Sequence, residues 1–507
     1  MTFGDGATAA TTPRSASRFV TRLHIAVGFA VLGLHVAVLG DWMLDDAFVF
    51  FRYAENWARG LGPVFNSGER VEGYSSFVWL ALLTAAKRSG CDPVLAARVL
   101  GCAFAVATLL LVARAHRLLP ALDRETSHRA ALFTGTCGAF TAWAASGMEV
   151  VLAAFLTTLA TLSTARLSSR EQRATPRALG GLGALMALLV ATRPEAILID
   201  AVLLFTLVRC APRRAWISIA TFALLFLPYF GWRWGYYGWP LPNPFYAKVG
   251  GTMDELRRGA TYVLRFLRLA APLVVFVVVA ALRRKSLAPR GVVPAVIAAQ
   301  VVFAIVAGGD LMPAFRFIAP VVPLLVLLAS HAIGVVVSNR RVVAATLLVA
   351  ASGVAGMRFD PDVYGRIRGD RVARAGAIVG KWMRDNLPAD ALLATNTAGS
   401  LPYFSGLRCI DMLGLTDTHI AHRRTSDLGR GWAGHEKFDG AYVLSRRPDY
   451  VQFASALGSE RPAFPSDHDL WKQPGFLELY ELRTYELQLA SGVLPVHLYR
   501  RRDGRGP

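Results

Sequence analysis

The recurrence of apolar stretches through the first 357 residues constrains this chain most. They fall at about 23–40, 74–88, 94–118, 129–145, 148–165, 178–193, 194–210, 215–233, 262–282, 291–308, 317–337 and 341–357. A helix needs roughly 20 apolar residues to cross a bilayer's hydrocarbon core, and most of these stretches approach that length. With 54% hydrophobic and 18% charged residues, the 507-residue chain is too apolar for an ordinary soluble enzyme. After Met357 the texture turns to mixed charge with scattered Pro and Gly. That change predicts a soluble α/β domain of about 150 residues over 358–507.

The count of spans follows from the charges. Taken as twelve spans, the segments would put Arg114, Arg117, Arg124 and Arg129 on the opposite side from Arg14, Arg18 and Arg22. Basic loops belong on the cytoplasmic side. The conflict disappears if 74–88, which is short, begins in a polar stretch and ends in Lys87-Arg88, lies at the interface instead of crossing. Eleven spans then place the basic blocks 14–22, 114–129, 166–177, 209–214, 283–290 and 340–341 inside. The reading is a multi-pass α-helical protein of the inner, cytoplasmic membrane, with a cytoplasmic segment 1–22 and a membrane domain 23–357. Its large first outer loop is 41–93, and the tail domain 358–507 is extracytoplasmic.

The net charge of +20 does not indicate nucleic acid, because the basic residues lie mostly in the short loops between spans. Tail blocks such as Arg423-Arg424, Arg446-Arg447 and Arg500–Arg502 read as solvated surface, or as contacts to anionic lipid or glycan. The five cysteines show no paired spacing, so neither a disulfide framework nor a zinc site is indicated. The first apolar stretch lacks an A-x-A-type cleavage site and reads as an anchor.

The polar residues suited to chemistry gather in the outward loops. Asp45 and Asp46 follow the first span directly, a costly place for two carboxylates unless they are solvated, paired or bound to a cation. Either one acts as a base with a raised pKa, or both hold a divalent cation, or one of them caps the helix carrying Phe48 to Arg59. Glu72 and Tyr74 suit a sugar or a turn beside an interface aromatic. Glu149, Arg193 with Glu195, Tyr246 with Lys248, and Asp310 with Arg316 each put ionisable groups at the outer end of a span. Arg193, Lys248 and Arg316 are suited to a phosphate, or to snorkelling and local ion pairs. In the tail, His435 and Glu436 read as substrate contacts, and a lone histidine makes no metal motif. No P-loop, Rossmann fingerprint, G-x-S-x-G or H-E-x-x-H motif is present.

The string from Asp45-Asp46-Ala-Phe to Arg52-Tyr53-Ala-Glu-Asn56, followed by Asn66-x-Gly-Glu-Arg-Val-Glu72-Gly-Tyr74, resembles the first outer loop of terminal arabinofuranosyltransferases of mycobacterial cell-wall synthesis. These belong to the polytopic glycosyltransferase class C superfamily. The likeness extends to Thr192-Arg-Pro-Glu195, Pro244-Phe-Tyr-Ala-Lys248, Gly308-Gly-Asp-x-Met-Pro-x-Phe-Arg316 and Gly434-His-Glu-Lys437. Departures are Ser75-Ser76 after Tyr74 and Pro244 where Thr is usual. The resemblance implies a glycosyltransferase C fold and transfer of a sugar, D-arabinofuranose in the arabinosyl members, from a polyprenyl-phosphate donor to an extracytoplasmic glycan or glycoprotein. It maps the family's essential acidic pair onto Asp45 and Asp46. The mechanism expected is general-base help from Asp45 or Asp46, with the leaving phosphate stabilised by Arg316 and Lys248 and by Arg52 or Arg193. No cofactor is required for this, and a divalent cation at the pair stays open. The rivals are a lipid-linked glycan transporter, which would place ionisable residues at mid-span, and a non-catalytic glycan-binding scaffold.

Overall fold

A computed structural model describes residues 14–169, 175–283, 291–490 and 492–503. Most of the expected N-terminal segment 1–22, and parts of the basic loops 166–177 and 283–290, lie outside the described residues.

All eleven expected spans form helix, but not all form one long helix. Among the described residues, six stretches are long and apolar enough to cross a membrane on their own: Arg22–Leu39, Pro93–Ala113, Val150–Ser168, Ala215–Tyr237, Ala319–Val336 and the start of Asn339–Asn386. Two more, Pro176–Thr192 and Val292–Val306, are apolar and shorter. Ile197–Cys210 has 14 residues, beginning just after Arg193-Pro194 and ending just before Pro212.

Two of the expected spans need correction. The stretch 262–282 runs across a 91° bend between Met253–Leu269 and Ala271–Leu282. A capping box of Thr252 and Glu255 starts the first of these helices well ahead of the apolar run. Its Arg265 and Arg268 pair with Asp362 and Asp360, so it is an amphipathic helix tied to the polar end of the bundle. The stretch 129–145 is a buried helix, Arg124–Thr136, that stops at Cys137 and continues as short turns. It crosses the first helix where a methyl group on Gly135 would collide with the Gly28 carbonyl, a close backbone approach that small residues permit. The segment read as interfacial is the helix Phe77–Arg88, whose 12 residues extend only about 18 Å.

Beyond the bundle, among the described residues, five strands form one sheet in the order β2-β1-β3-β5-β4: β1 Leu392–Thr395, β2 Arg408–Asp411, β3 Tyr450–Gln452, β4 Tyr480–Leu489 and β5 Gly492–Arg501. β1 runs parallel to β2 and β3, while β5 is antiparallel to β3 and β4. Val379 and Met383 of the helix Val372–Asn386 pack with Leu393, Tyr450 and Leu498 in one core. Phe453, Phe476 and Tyr499 help to fill a second.

This unit is fastened to the bundle through the helix Asp45–Ala58. Arg52 is buried and donates to the carbonyls of Phe65 (2.7 Å), Pro402 (2.5 Å) and Leu407 (2.7 Å) and to Asn66 Oδ1 (3.1 Å). Asn66 in turn exchanges hydrogen bonds with both backbone groups of Cys409 on β2. Truncating Arg52 strands several buried carbonyls, each costing about 1–3 kcal/mol when unpaired. Arg52→Leu is therefore expected to expose the segment 399–411 to limited proteolysis and to lower the melting temperature, whereas a surface change such as Arg384→Leu leaves both as they were.

Candidate functional site

A cavity of about 380 Å³ opens where the helix Asp45–Ala58 meets the loops at the same end of the bundle. It brings together Asp46, Tyr74, Arg193, Glu195, Lys248, Asp310 and Arg316 from five separate parts of the chain. Its other walls are apolar, and Ile197, Leu198 and Phe245 at its edge are 45%, 43% and 43% exposed on the outer surface of the bundle. A more voluminous groove of about 630 Å³, beside Trp471, Tyr480 and Tyr499, is open surface of the C-terminal unit and shares no residue with this cavity.

The two adjacent aspartates do different things. They are the first two residues of their helix, with Leu44 as its N-cap, and successive helical side chains diverge by about 100°. Asp45 points to the C-terminal unit, accepting from Ser400 N (2.9 Å), Ser400 Oγ (2.5 Å) and Gly399 N (3.1 Å). It thereby satisfies the start of the short helix Ser400–Ser405, and a Cβ on Gly399 would collide with it. Asp46 points into the cavity, 3.3 Å from Arg316. As placed, the pair does not fit a shared divalent cation: the Asp45 oxygens face N–H and O–H donors, and Asp46 faces a guanidinium. Among the described residues, no three His, Cys, Asp or Glu side chains cluster to hold one.

Arg316 is set by an unusual turn. Ala314 and Phe315 both have φ in the left-handed region (53° and 54°), and the Trp143 indole donates to the Ala314 carbonyl at 2.9 Å. Asp310 then takes Arg316 in a bidentate grip at 2.7 and 3.1 Å. Burial alone would push the Asp310 carboxyl up, but Arg316 and Lys248 together outweigh it and hold it below its ordinary value. Burial likewise opposes the charge on Arg316, while Asp310, Asp46 and Glu149 reverse the balance and raise it. Lys248 closes the helix Asn243–Lys248; among the described residues its ammonium has no hydrogen-bond or ion-pair partner.

Several residues expected in the site lie elsewhere. Arg52 spends its donors on the carbonyls named above and does not reach the cavity. Glu72 is buried behind it, paired at 2.6 Å with Arg233, which also donates to the Pro240 carbonyl. Glu149 is fully buried and grips Arg193 from behind at 2.7 Å, while Glu195 holds the same guanidinium at 2.6 Å, so Arg193 is doubly neutralised. Tyr246 stacks on His422 at 4.1 Å. Glu436 accepts from Arg258 (2.5 Å), Gly429 N and Gly431 N, and so shapes its own loop. His435 stands beside a separate pocket of the C-terminal unit, with burial pushing its pKa down. Sequence reasoning missed Ser400, Arg233 and Arg258: one hydroxyl or guanidinium among many carries no signal until its partner is known.

Comparisons with known proteins agree with this architecture. A family model described as a domain of unknown function (DUF8728) matches residues 366–495. The "Terminal beta-(1->2)-arabinofuranosyltransferase" of Mycobacterium tuberculosis is 30% identical over 243 residues, which is 45% of this chain and 38% of that relative. The chain thus covers well under two thirds of the relative's length. Crystal structures of ArnT from Cupriavidus metallidurans, one bound to undecaprenyl phosphate and one in the apo state, each superpose with a TM-score of 0.58. The first is 14% identical and covers 97% of this chain and 100% of its own; the second is 16% identical, covering 95% and 98%. The chain thus shares the fold of these structures, a helical bundle with a C-terminal domain.

The contact of Asp45 with Ser400 is sensitive to pH. Burial raises this carboxyl to about 6; the hydrogen bonds from Ser400 oppose the rise, and Asp46 and Asp370 add to it. An acid whose pKa rises on folding keeps a proton that the unfolded chain has already lost. Its share of stability is full below about pH 4 and falls away as pH climbs through 6, by up to about 3 kcal/mol. Melting temperatures of Asp45→Asn measured by scanning fluorimetry are therefore expected to decline less than wild type between pH 4 and pH 7.

Proposed function

We propose that this protein is a membrane glycosyltransferase that moves a sugar from a polyprenyl-phosphate donor to a glycan or glycoprotein outside the cytoplasmic membrane. The observation that carries this reading is one cavity in which a carboxylate, Asp46, and an unpaired ammonium, Lys248, share polar space beside an apolar wall open to the bundle's outer surface. A polyprenyl phosphate has the matching parts: an apolar chain, an anionic phosphate and a sugar. The arabinofuranosyltransferase named above, and the undecaprenyl phosphate bound to ArnT, support the donor class. The first-loop resemblance supports D-arabinofuranose as the sugar. The expected sidedness places the site and the C-terminal domain, 358–507, on the extracytoplasmic face.

In this reading the polyprenyl chain lies along Ile197, Leu198 and Phe245, and the phosphate meets Lys248 and Arg316. Arg193, held between Glu149 and Glu195, shapes the wall. The acceptor hydroxyl oxygen attacks the anomeric carbon as the bond from that carbon to the phosphate oxygen breaks. The hydroxyl proton passes to Asp46, and the bonding pair leaves with polyprenyl phosphate, whose growing charge Lys248 and Arg316 hold. The leaving group is already an anion of a strong acid and needs no proton. A single displacement of this kind inverts the anomeric centre.

Asp46→Asn is expected to slow release of polyprenyl phosphate from polyprenyl-phosphoryl arabinofuranose by about 10²–10⁴-fold. Lys248→Met is expected to cost about 10²-fold through loss of charge stabilisation. Asp45→Asn, whose side chain faces Ser400, is expected to cost much less than either. Thin-layer or mass analysis of the lipid product reads all three, and full activity in Asp46→Asn would sink the mechanism.

A further inference from the structure

The loop that roofs the cavity has a second working face. Ala433 lines the cavity, while its neighbours Trp432, His435 and Glu436 line a separate pocket of about 430 Å³ together with Phe464, Asp427 and Arg430. The loop is firmly held. Glu436 ties it to Arg258, whose Nε also donates to the Gly308 carbonyl at 2.8 Å. Lys437 donates to the carbonyls of Tyr246 and Ala421, both at 2.8 Å. Gly434, at φ +83°, lies against the stem of Lys248, where a side chain would crowd it.

On this pinned loop Trp432 is 61% exposed, an expensive surface for so large an apolar group. Its ring stands 6.0 Å from His435 at 81° and 6.0 Å from Phe464 at 68°, and His435 and Phe464 are 5.5 Å apart at 77°. Three mutually steep rings leave no parallel slot for a flat base. They offer single faces to a ligand with its own apolar C–H face. The rim is polar yet balanced, with Arg430 paired to Asp254 at 3.0 Å and 3.9 Å from Asp427, so it favours a neutral, hydroxyl-rich ligand over a phosphate. The volume falls in the range of small-ligand sites, roughly 300–1,000 Å³. His435 lies close enough to Lys248 and Asp46 to feel both charges, which puts the pocket next to the reaction cavity.

We infer that the pocket of Trp432, His435 and Phe464 is a sugar-binding subsite that holds a ring of the acceptor glycan while its terminal hydroxyl enters the cavity at Asp46. The acceptor role rests on the transferase reading; binding of a neutral sugar does not. The test is saturation-transfer NMR on the full-length protein in nanodiscs with no donor present, using synthetic arabinofuranose and mannopyranose tetrasaccharides as probes. Wild type is expected to bind at least one of them, Trp432→Ala to bind it about tenfold more weakly, and Trp432→Phe to retain most of the affinity. Phe464→Ala supplies an independent second wall variant, also expected to weaken binding. The inference is overturned if wild type binds neither tetrasaccharide, or if Trp432→Ala and Phe464→Ala both bind as wild type does. Because no sugar is transferred in this experiment, its failure is separable from loss of transferase activity.

Discussion

A guanidinium buried at the end of a helical bundle must be paired or the fold does not tolerate it, and Arg316 is such a group. Asp310 grips it bidentately and Asp46 meets its remaining edge, so the loop 308–316 and the helix Asp45–Ala58 are drawn to one place. The strained turn at Ala314-Phe315 and the Trp143 indole beneath it hold the arginine there. Lys248, at the end of the helix Asn243–Lys248, lines the same cavity and has no such partner among the described residues. Two paired cations, Arg193 and Arg316, and one cation unpaired among the described residues, Lys248, line the cavity with Asp46, an arrangement suited to the anionic leaving group of the proposed reaction.

The adjacent aspartates divide two tasks that one carboxylate could not perform together. Asp45 fastens the C-terminal unit by capping Ser400–Ser405, and Asp46 faces the cavity. Arg52, two turns along the same helix, anchors the unit again. The helix after the first span is thus both the wall of the site and the seat of the domain above it. A shift of that domain would be felt at Asp46 through only one intervening residue.

Much of this was legible in the residues themselves, because apolar runs and basic loops report on a bilayer directly. The run at 262–282 misled because a helix capped by Thr252 and Glu255 begins upstream and turns sharply at Ala270, which hydropathy alone does not register. Asp46, Lys248, Asp310 and Arg316 stood out as ionisable groups at outer span ends, and the fold places all four around one cavity. Arg52 and Glu72 in the first outer loop and Glu436 in the tail stood out as charged candidates and turned out to be buried partners of backbone or of Arg233 and Arg258. Residue type cannot separate a charge aimed at a ligand from one aimed at a carbonyl 350 positions away. Ser400 and Trp432 gave no signal, since a serine or a tryptophan in a polar tail has many ordinary uses.

The central claim is that the cavity between Asp46 and Lys248 receives a polyprenyl phosphate. Native mass spectrometry of the purified protein, released from the membrane with its retained lipids, addresses that claim most directly. The expected result is a bound species with the mass of a polyprenyl phosphate, alone or carrying one pentose, retained by wild type and depleted in Lys248→Glu. A wild-type protein that retains only phospholipids, or a polyprenyl adduct unaffected by that substitution, would contradict it.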